Sequence, residues 1–217
     1  METKPFVSPD YARSALITID VQCDTLDGQP LEIPGTSAIL PRLAELTTAF
    51  RDTAKPIVHV VRLYKPDGSN VDSCRREQII AGARWLLPGS IGAQLAPGIV
   101  DASIHLDCDR LLAGEVQQIG PDEYIMYKPR WGAFYQTSLE DFLRSRNVTT
   151  LVFAGCNFPN CPRTSVYEAS ERDFRIVLAS DAVSGLYERG AAELANIGVT
   201  IETATKIASL VRAARRL

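Results

Sequence analysis

The stretch Leu151-Val152-Phe153-Ala154-Gly155-Cys156-Asn157-Phe158-Pro159-Asn160-Cys161-Pro162 decides the fold. Its first four residues form a continuous apolar block, the pattern of a strand buried on both faces of a parallel sheet. Turn residues follow. Pro162 then suits the first position of a helix, which Arg163-Thr164-Ser165-Val166-Tyr167 continues. Working outward, five more short runs share the character of the first: Ala15–Ile19, Pro56–Val61, Tyr124–Tyr127, Ile176–Ala179 and Val199–Glu202. Between them lie segments of helical period. Ile39–Phe50 places Leu40, Leu43, Leu46 and Phe50 on one stripe, and Leu139, Phe142 and Leu143 do the same before Leu151. Thr164–Phe174, Glu188–Ile197 and Lys206–Leu217 complete the alternation. Strand–helix repetition of this kind predicts one α/β domain over residues 1–217, with a mainly parallel sheet flanked by helices. Lys65–Gly120 interrupts the pattern with the turn signals PDGS, LLPGSIG and APG. It reads as an excursion covering the site or an oligomer interface, with short helices and a β-hairpin near Gly114–Gly120.

The 23 basic and 26 acidic residues leave a net charge of −3, which offers no basis for a nucleic-acid partner. The one basic run, Arg212 through Arg216, is expected to close a C-terminal helix and complement its dipole. Five cysteines, at 23, 74, 108, 156 and 161, form no CxxC pair, so a reduced, cytoplasmic setting is expected. The first 15 residues contain no apolar leader core. No segment reaches the ~18 apolar residues of a membrane span.

Ligands of open α/β sheets bind outside the carboxyl ends of the strands. Three of those ends carry reactive groups: Asp20 after the first run, Lys128 after Tyr124–Tyr127, and Cys161 at the end of the quoted loop. Cys161 falls at or near a helix N-terminus, where free N–H groups and the dipole favour a thiolate, so a lowered thiol pKa is expected. The same N–H groups suit a tetrahedral oxyanion. Asp20 is the general base for the thiol, because His59 lies inside a strand and His105 in the excursion. A lysine at the end of a buried strand needs a counter-charge, and Asp20 is the obvious partner for Lys128. Arg62 and Tyr64, just past the second strand, are candidates to meet a polar substrate group. Trp131, Phe134 and Phe158 are candidate pocket walls. The chain has no Asp-x-His or His-x-x-x-His pattern and no phosphate loop, so neither metal nor cofactor is expected.

With these residues in place, the sequence resembles the isochorismatase-like cysteine hydrolases along most of its length. Ile17-Thr18-Ile19-Asp20-Val21-Gln22 looks like the first strand of that family, with its Asp and the Gln two residues on; Gln22 is therefore counted with the pocket. Tyr127-Lys128-Pro129-Arg130-Trp131-Gly132-Ala133-Phe134 looks like its lysine motif. Gly155 through Cys161 has its Gly-to-nucleophile spacing, and Ser180-Asp181-Ala182-Val183-Ser184 is similar to its segment after the fifth strand. The resemblance implies a three-layer Rossmann-like fold with a six-stranded sheet and an Asp20–Lys128–Cys161 triad. It further implies a non-proline cis peptide at Cys156–Asn157, an oxyanion hole from Asn157 and Cys161, and a homo-oligomer, dimer or tetramer. Its departures are informative too. Cys23-Asp24-Thr25 stands where members often have Asp-Phe, and the Asp-x-His metal site of nicotinamidases is missing. The quoted loop is most similar to a subset that includes streptothricin-hydrolase-like amidases. The implied activity is cysteine-dependent hydrolysis of an amide, lactam, carbamoyl or ureido C–N bond in a small molecule, through a thioester. Two alternatives stand beside it: vinyl-ether hydrolysis of the isochorismatase type, needing Asp20 but no thiol, and a non-catalytic binding protein of the same fold.

Overall fold

Each continuous apolar run becomes a strand because only a parallel sheet covered on both faces removes both sides of such a run from water. The computed structural model describes residues 6–214. Its strands are β1 (Ser14–Ile19), β2 (Ile57–Val61), β3 (Gln117–Gly120), β4 (Glu123–Tyr127), β5 (Thr150–Gly155), β6 (Arg175–Val183) and β7 (Thr200–Glu202). They form one sheet in the order β3-β4-β2-β1-β5-β6-β7, parallel except for β3. The count of seven corrects the six that the family resemblance implies. The hairpin expected near Gly114–Gly120 adds β3 to the edge of the sheet. Its residues are only half-buried or exposed, so it lacks the apolar run that marks the other strands.

The helices are α1 (Thr36–Asp52), α2 (Ser73–Ile80), α3 (Cys108–Leu112), α4 (Leu139–Arg144), α5 (Cys161–Ser170), α6 (Glu188–Asn196) and α7 (Ala204–Ala213). Alternate residues of each strand serve opposite faces. Leu16 of β1 packs with Leu43, Leu46 and Phe50 of α1 and with Ile207 and Val211 of α7. Ala15, Ile17 and Ile19 pack on the other side with Leu139 and Leu143 of α4, Val166 of α5 and Leu194 of α6. The excursion divides its work. Ala93, Leu95, Ile99 and Leu106 extend the first core, while Tyr64, Val71, Ile79 and Leu86 form a small separate cluster. Of the basic run near the C-terminus, Arg212 sits in the last turn of α7, 3.4 Å from Asp52; Arg215 and Arg216 lie outside the described residues. No helix among the described residues is long and apolar enough to cross a membrane.

His59 is fully buried on β2 with both ring nitrogens engaged. Nδ1 lies 2.8 Å from the Thr18 hydroxyl on β1, and Nε2 lies 2.8 Å from Oε1 of Glu123 on β4. Arg51 of α1 closes the chain with Nε and Nη2 on the Glu123 carboxylate, at 2.8 and 2.6 Å. The histidine therefore braces three strands. Burial alone would raise the Glu123 pKa, yet the hydrogen bonds from Arg51 and His59 and their charges hold it down to about 2. A carboxyl group depressed in the folded state stabilises the fold above its ordinary pKa and loses that contribution as pH falls toward the depressed value. Denaturant titrations should thus show stability falling steeply from about pH 4.5 to 2. Glu123→Gln should flatten that limb, and an unchanged acid slope would count against this ion-paired brace.

Candidate active site

The chain runs from β1 out to β2 and β4 on one side of the sheet and through β5, β6 and β7 on the other. The carboxyl ends of β1 and β5 therefore flank the switch point where α/β sheets open a crevice. Asp20 leaves β1 with φ of 51°, in the left-handed region that Asp tolerates better than most residues. Three donors clamp its carbonyl: the Gln22 amide at 3.0 Å, the Thr25 hydroxyl at 3.1 Å and the Cys156 thiol at 3.0 Å. Backbone so tightly tied aims the Asp20 carboxylate along the rim. Its Oδ2 lies 2.9 Å from Nζ of Lys128, while Oδ1, also buried, has no hydrogen-bond partner. Lys128 is fully buried at the end of β4, and its ammonium also donates to the Arg130 carbonyl at 3.1 Å. A buried ion pair survives only with such added bonds to offset desolvation.

Gly155 ends β5 with φ of 115°, and a Cβ there would lie 2.2 Å from the Ile19 carbonyl oxygen. The two strand ends can therefore approach closely, and the Cys156 amide donates to that same carbonyl at 2.8 Å. The Cys156–Asn157 peptide is cis, as the resemblance implies. Phe158 N–H then donates to the Ser184 carbonyl at 2.8 Å, and Asn160 N–H to the Asn157 carbonyl at 3.1 Å. Among the described residues the N–H groups of Asn157 and Cys161 donate to no other group. Cys161 is the first residue of α5, with Pro162 behind it, and its carbonyl accepts from Ser165 Oγ at 2.7 Å. That hydroxyl also accepts the Ala133 amide at 3.0 Å, which ties the first turn of α5 to the segment after Lys128.

One expectation for Cys161 is overturned. The helix N-terminus does not lower its thiol pKa. Burial and the neighbouring Asp20 charge push it up to about 12, against the opposing pull of Lys128. Cys161 is 6% exposed, so loss of hydration outweighs a dipole that acts over one turn. The resting group is the thiol.

Asp20, Cys161, Cys156 and Asn157 line a small cleft with Arg62, Arg75, Trp131, Thr25, Leu31, Ile33 and Leu86. Of the predicted pocket residues, Arg62 and Trp131 line it. Gln22, Tyr64, Phe134 and Phe158 do not. Gln22 is fully buried, its amide donating to the Arg62 and Ala93 carbonyls at 2.9 and 2.7 Å and its oxygen accepting the Arg62 N–H at 2.8 Å. Its work is to hold the ends of β1 and β2 to the excursion. Phe134 packs against Phe174, and Phe158 meets Tyr187 edge-on, both within the core beneath α5. Tyr64 is 1% exposed, in the small cluster of the excursion. Arg75, Leu31 and Ile33 escape the sequence reading, since none stands at a strand end in a recognisable motif, and Cys156, within the quoted loop, carries no signal of its own for a place in the cleft. Among the described residues no three His, Cys, Asp or Glu side chains group closely enough to hold a metal ion.

Residues 107–206 match the family model described as an isochorismatase domain. A ureidoacrylate amidohydrolase from Methylorubrum extorquens is 32% identical over 184 residues, covering 80% of this chain and 70% of that one. A protein from Arabidopsis thaliana described as a probable inactive nicotinamidase is 28% identical over 200 residues, 89% of this chain and 93% of its own. The crystal structure of an isochorismatase family protein from Desulfovibrio vulgaris superposes with a TM-score of 0.76 at 28% identity, covering 92% of this chain and 98% of that one.

Proposed function

This chain belongs to the isochorismatase family, and we propose that it is a cysteine-dependent amidohydrolase that cleaves a small amide, carbamoyl or ureido C–N bond through a thioester. The observation that carries this reading is the unpartnered Oδ1 of Asp20, whose other oxygen is pinned by Lys128 while the same carboxylate acts on the Cys161 thiol. An idle buried carboxylate oxygen beside a protonated thiol is an arrangement for proton transfer.

Asp20 takes the thiol proton as the Cys161 sulfur forms its bond to the substrate carbonyl carbon. The carbonyl π electrons move to oxygen, and the free N–H groups of Asn157 and Cys161 receive that oxyanion. Lys128 keeps Asp20 in place and offsets negative charge on the rim. The oxyanion collapses, the C–N bond breaks, and Asp20 returns the proton to the leaving nitrogen, which departs as ammonia or an amine. A water then gives a proton to Asp20 as its oxygen attacks the thioester. Breaking the C–S bond restores the thiol with that proton and releases the acid.

Asp20→Asn retains the shape of the carboxylate but cannot accept the proton, and it leaves Lys128 buried without its counter-charge. Ammonia release from a panel of small amides and ureides should fall by about 10²–10⁴-fold. An unchanged rate would remove Asp20 from the mechanism.

A further inference from the structure

A second buried thiol lies beside Cys161, and the mechanism above leaves it unused. Cys156 is fully buried in the floor of the cleft, so its sulfur is out of reach of a substrate. Burial and the neighbouring Asp20 charge raise its pKa, which keeps it a thiol with a proton to donate. That proton goes to the Asp20 carbonyl at 3.0 Å. The amide of the same residue donates to the Ile19 carbonyl at 2.8 Å. Cys156 therefore holds two successive carbonyls, one through its backbone and one through its side chain. On its other side, the peptide joining it to Asn157 bears the Asn157 N–H. Asp20 stands at φ of 51°, a conformation that persists only where the surroundings over-determine it.

Three hydroxyls complete the setting. Those of Thr25 and Thr36 hydrogen-bond to the Cys156 sulfur, and that of Thr36 also lies 3.2 Å from the Ser184 hydroxyl. Ser184 brackets the nucleophile loop. Its amide donates to the Gly155 carbonyl at 3.0 Å, and its carbonyl accepts the Phe158 N–H at 2.8 Å. Thr25, Thr36 and Ser184 are at most 3% exposed, and they come from the segment after β1, the start of α1 and the end of β6. Filling this space needs only an apolar side chain, whereas a satisfied polar network also fixes one arrangement of its members.

We propose that Cys156 is a positioning residue, its thiol holding the Asp20 backbone in register with the peptide that bears the Asn157 N–H, so that one side chain aligns base and oxyanion site. The proposal rests on the roles of Asp20 and Asn157 in the amidohydrolase reading. Because Cys156 does not touch the substrate, its loss slows the chemical step and leaves binding alone.

Cys156→Ala removes the donor, and Cys156→Ser keeps one on a slightly shorter bond. In ammonia release from small amides and ureides, kcat should fall about 10–100-fold in Cys156→Ala with KM within about twofold. Cys156→Ser should recover most of that loss. Thr36→Val keeps the sulfur but removes a partner outside the cleft, and should lower kcat about 3–10-fold. It decides the matter if Cys156→Ala does not fold. Unchanged kcat in Cys156→Ala, or equal losses in the Ala and Ser variants, overturns the proposal. Labelling of Cys161 by iodoacetamide, read by mass spectrometry, needs no substrate. Burial and the Asp20 charge hold the Cys161 pKa up, while Lys128, Arg62 and Arg75 are the cations facing the sulfur and Cys156 rests neutral. If Asp20 loses its aim, labelling at neutral pH should quicken about tenfold in Cys156→Ala and not in Cys156→Ser, the rise that one pKa unit gives. Quickened labelling alongside a wild type that turns over no amide sustains the positioning role and sinks the amidohydrolase reading; unchanged labelling there overturns both.

Discussion

Cys161→Ala is expected to lower ammonia release by about 10⁴-fold or more, the scale seen when a covalent nucleophile is removed. In the proposed mechanism the sulfur is the atom that bonds to the substrate, so no neighbouring group can substitute at the same position. Asp20 and Lys128 would remain as a buried pair with no thiol to deprotonate. What rate survives would come from binding and from the N–H groups of Asn157 and Cys161, which a substitution at the side chain leaves in place. The variant should still fold. Cys161 touches the core beneath α5 through a single small side chain, and trimming one sulfur from a site already beside a cleft should shift stability by only about 1 kcal/mol. A steady-state assay with a melting curve on the same sample separates chemistry from folding. Near wild-type turnover by a folded Cys161→Ala would overturn the thioester route and favour hydrolysis directed by Asp20 alone. An alkylating agent offers a second view. Because Cys161 rests as a thiol with its pKa raised to about 12, its labelling at neutral pH should be slow.

Gly155→Ala is expected to be the most damaging single methyl group in the protein. The added Cβ would sit 2.2 Å from the Ile19 carbonyl oxygen and 2.6 Å from its nitrogen, and both belong to backbone that cannot swing aside. The φ of 115° adds a conformation that L-residues rarely adopt. Relief would require β1 and β5 to part at Ile19 and Gly155, where their parallel register ends. Such a clash falls among the rare substitutions costing about 4 kcal/mol or more. For a chain of this size that lowers Tm by roughly 8–16 °C. Any folded remainder should also be inactive, since the Cys156 amide bond to Ile19 and the aim of Asp20 both depend on that contact. Scanning calorimetry with an assay at low temperature checks both effects. A variant that melts within a few degrees of the wild type would show that the strand ends can yield.

The candidate triad was legible in the chain because Asp20 and Lys128 follow apolar runs directly and Cys161 opens the helix after a third. Burial on both faces forces a strand to be written as a continuous block, so its end is visible, and Asp20, Lys128 and the loop to Cys161 stand at three such ends. The loop from Gly155 to Cys161 was legible for a related reason, since a turn Gly and a helix-opening Pro are spelled locally, whereas its cis peptide is implied only by the family resemblance. The edge strand β3 was visible only as a hairpin, because a half-buried edge carries no apolar block. Pocket walls were read least well. Phe134 and Phe158 adjoin the right motifs, but their rings pack inward with Phe174 and Tyr187, and sequence neighbours of a site point to either side of it.

The sequence alone therefore determined the α/β class, the order of its elements and the three reactive groups, all of which depend on local patterns and on strand ends. Tertiary structure alone decided the state of the thiol and the membership of the cleft. The Cys161 pKa is a balance between a helix terminus, which the sequence shows, and burial beside Asp20, which only packing produces; burial wins because the lost hydration of a thiolate exceeds what one turn of dipole returns. Arg75 reaches the cleft from a segment with no clear period, placed there by the packing of Tyr64, Val71, Ile79 and Leu86. Contacts between residues distant in the chain obey no spacing rule, and those contacts shape the cleft around a cysteine the sequence had already singled out.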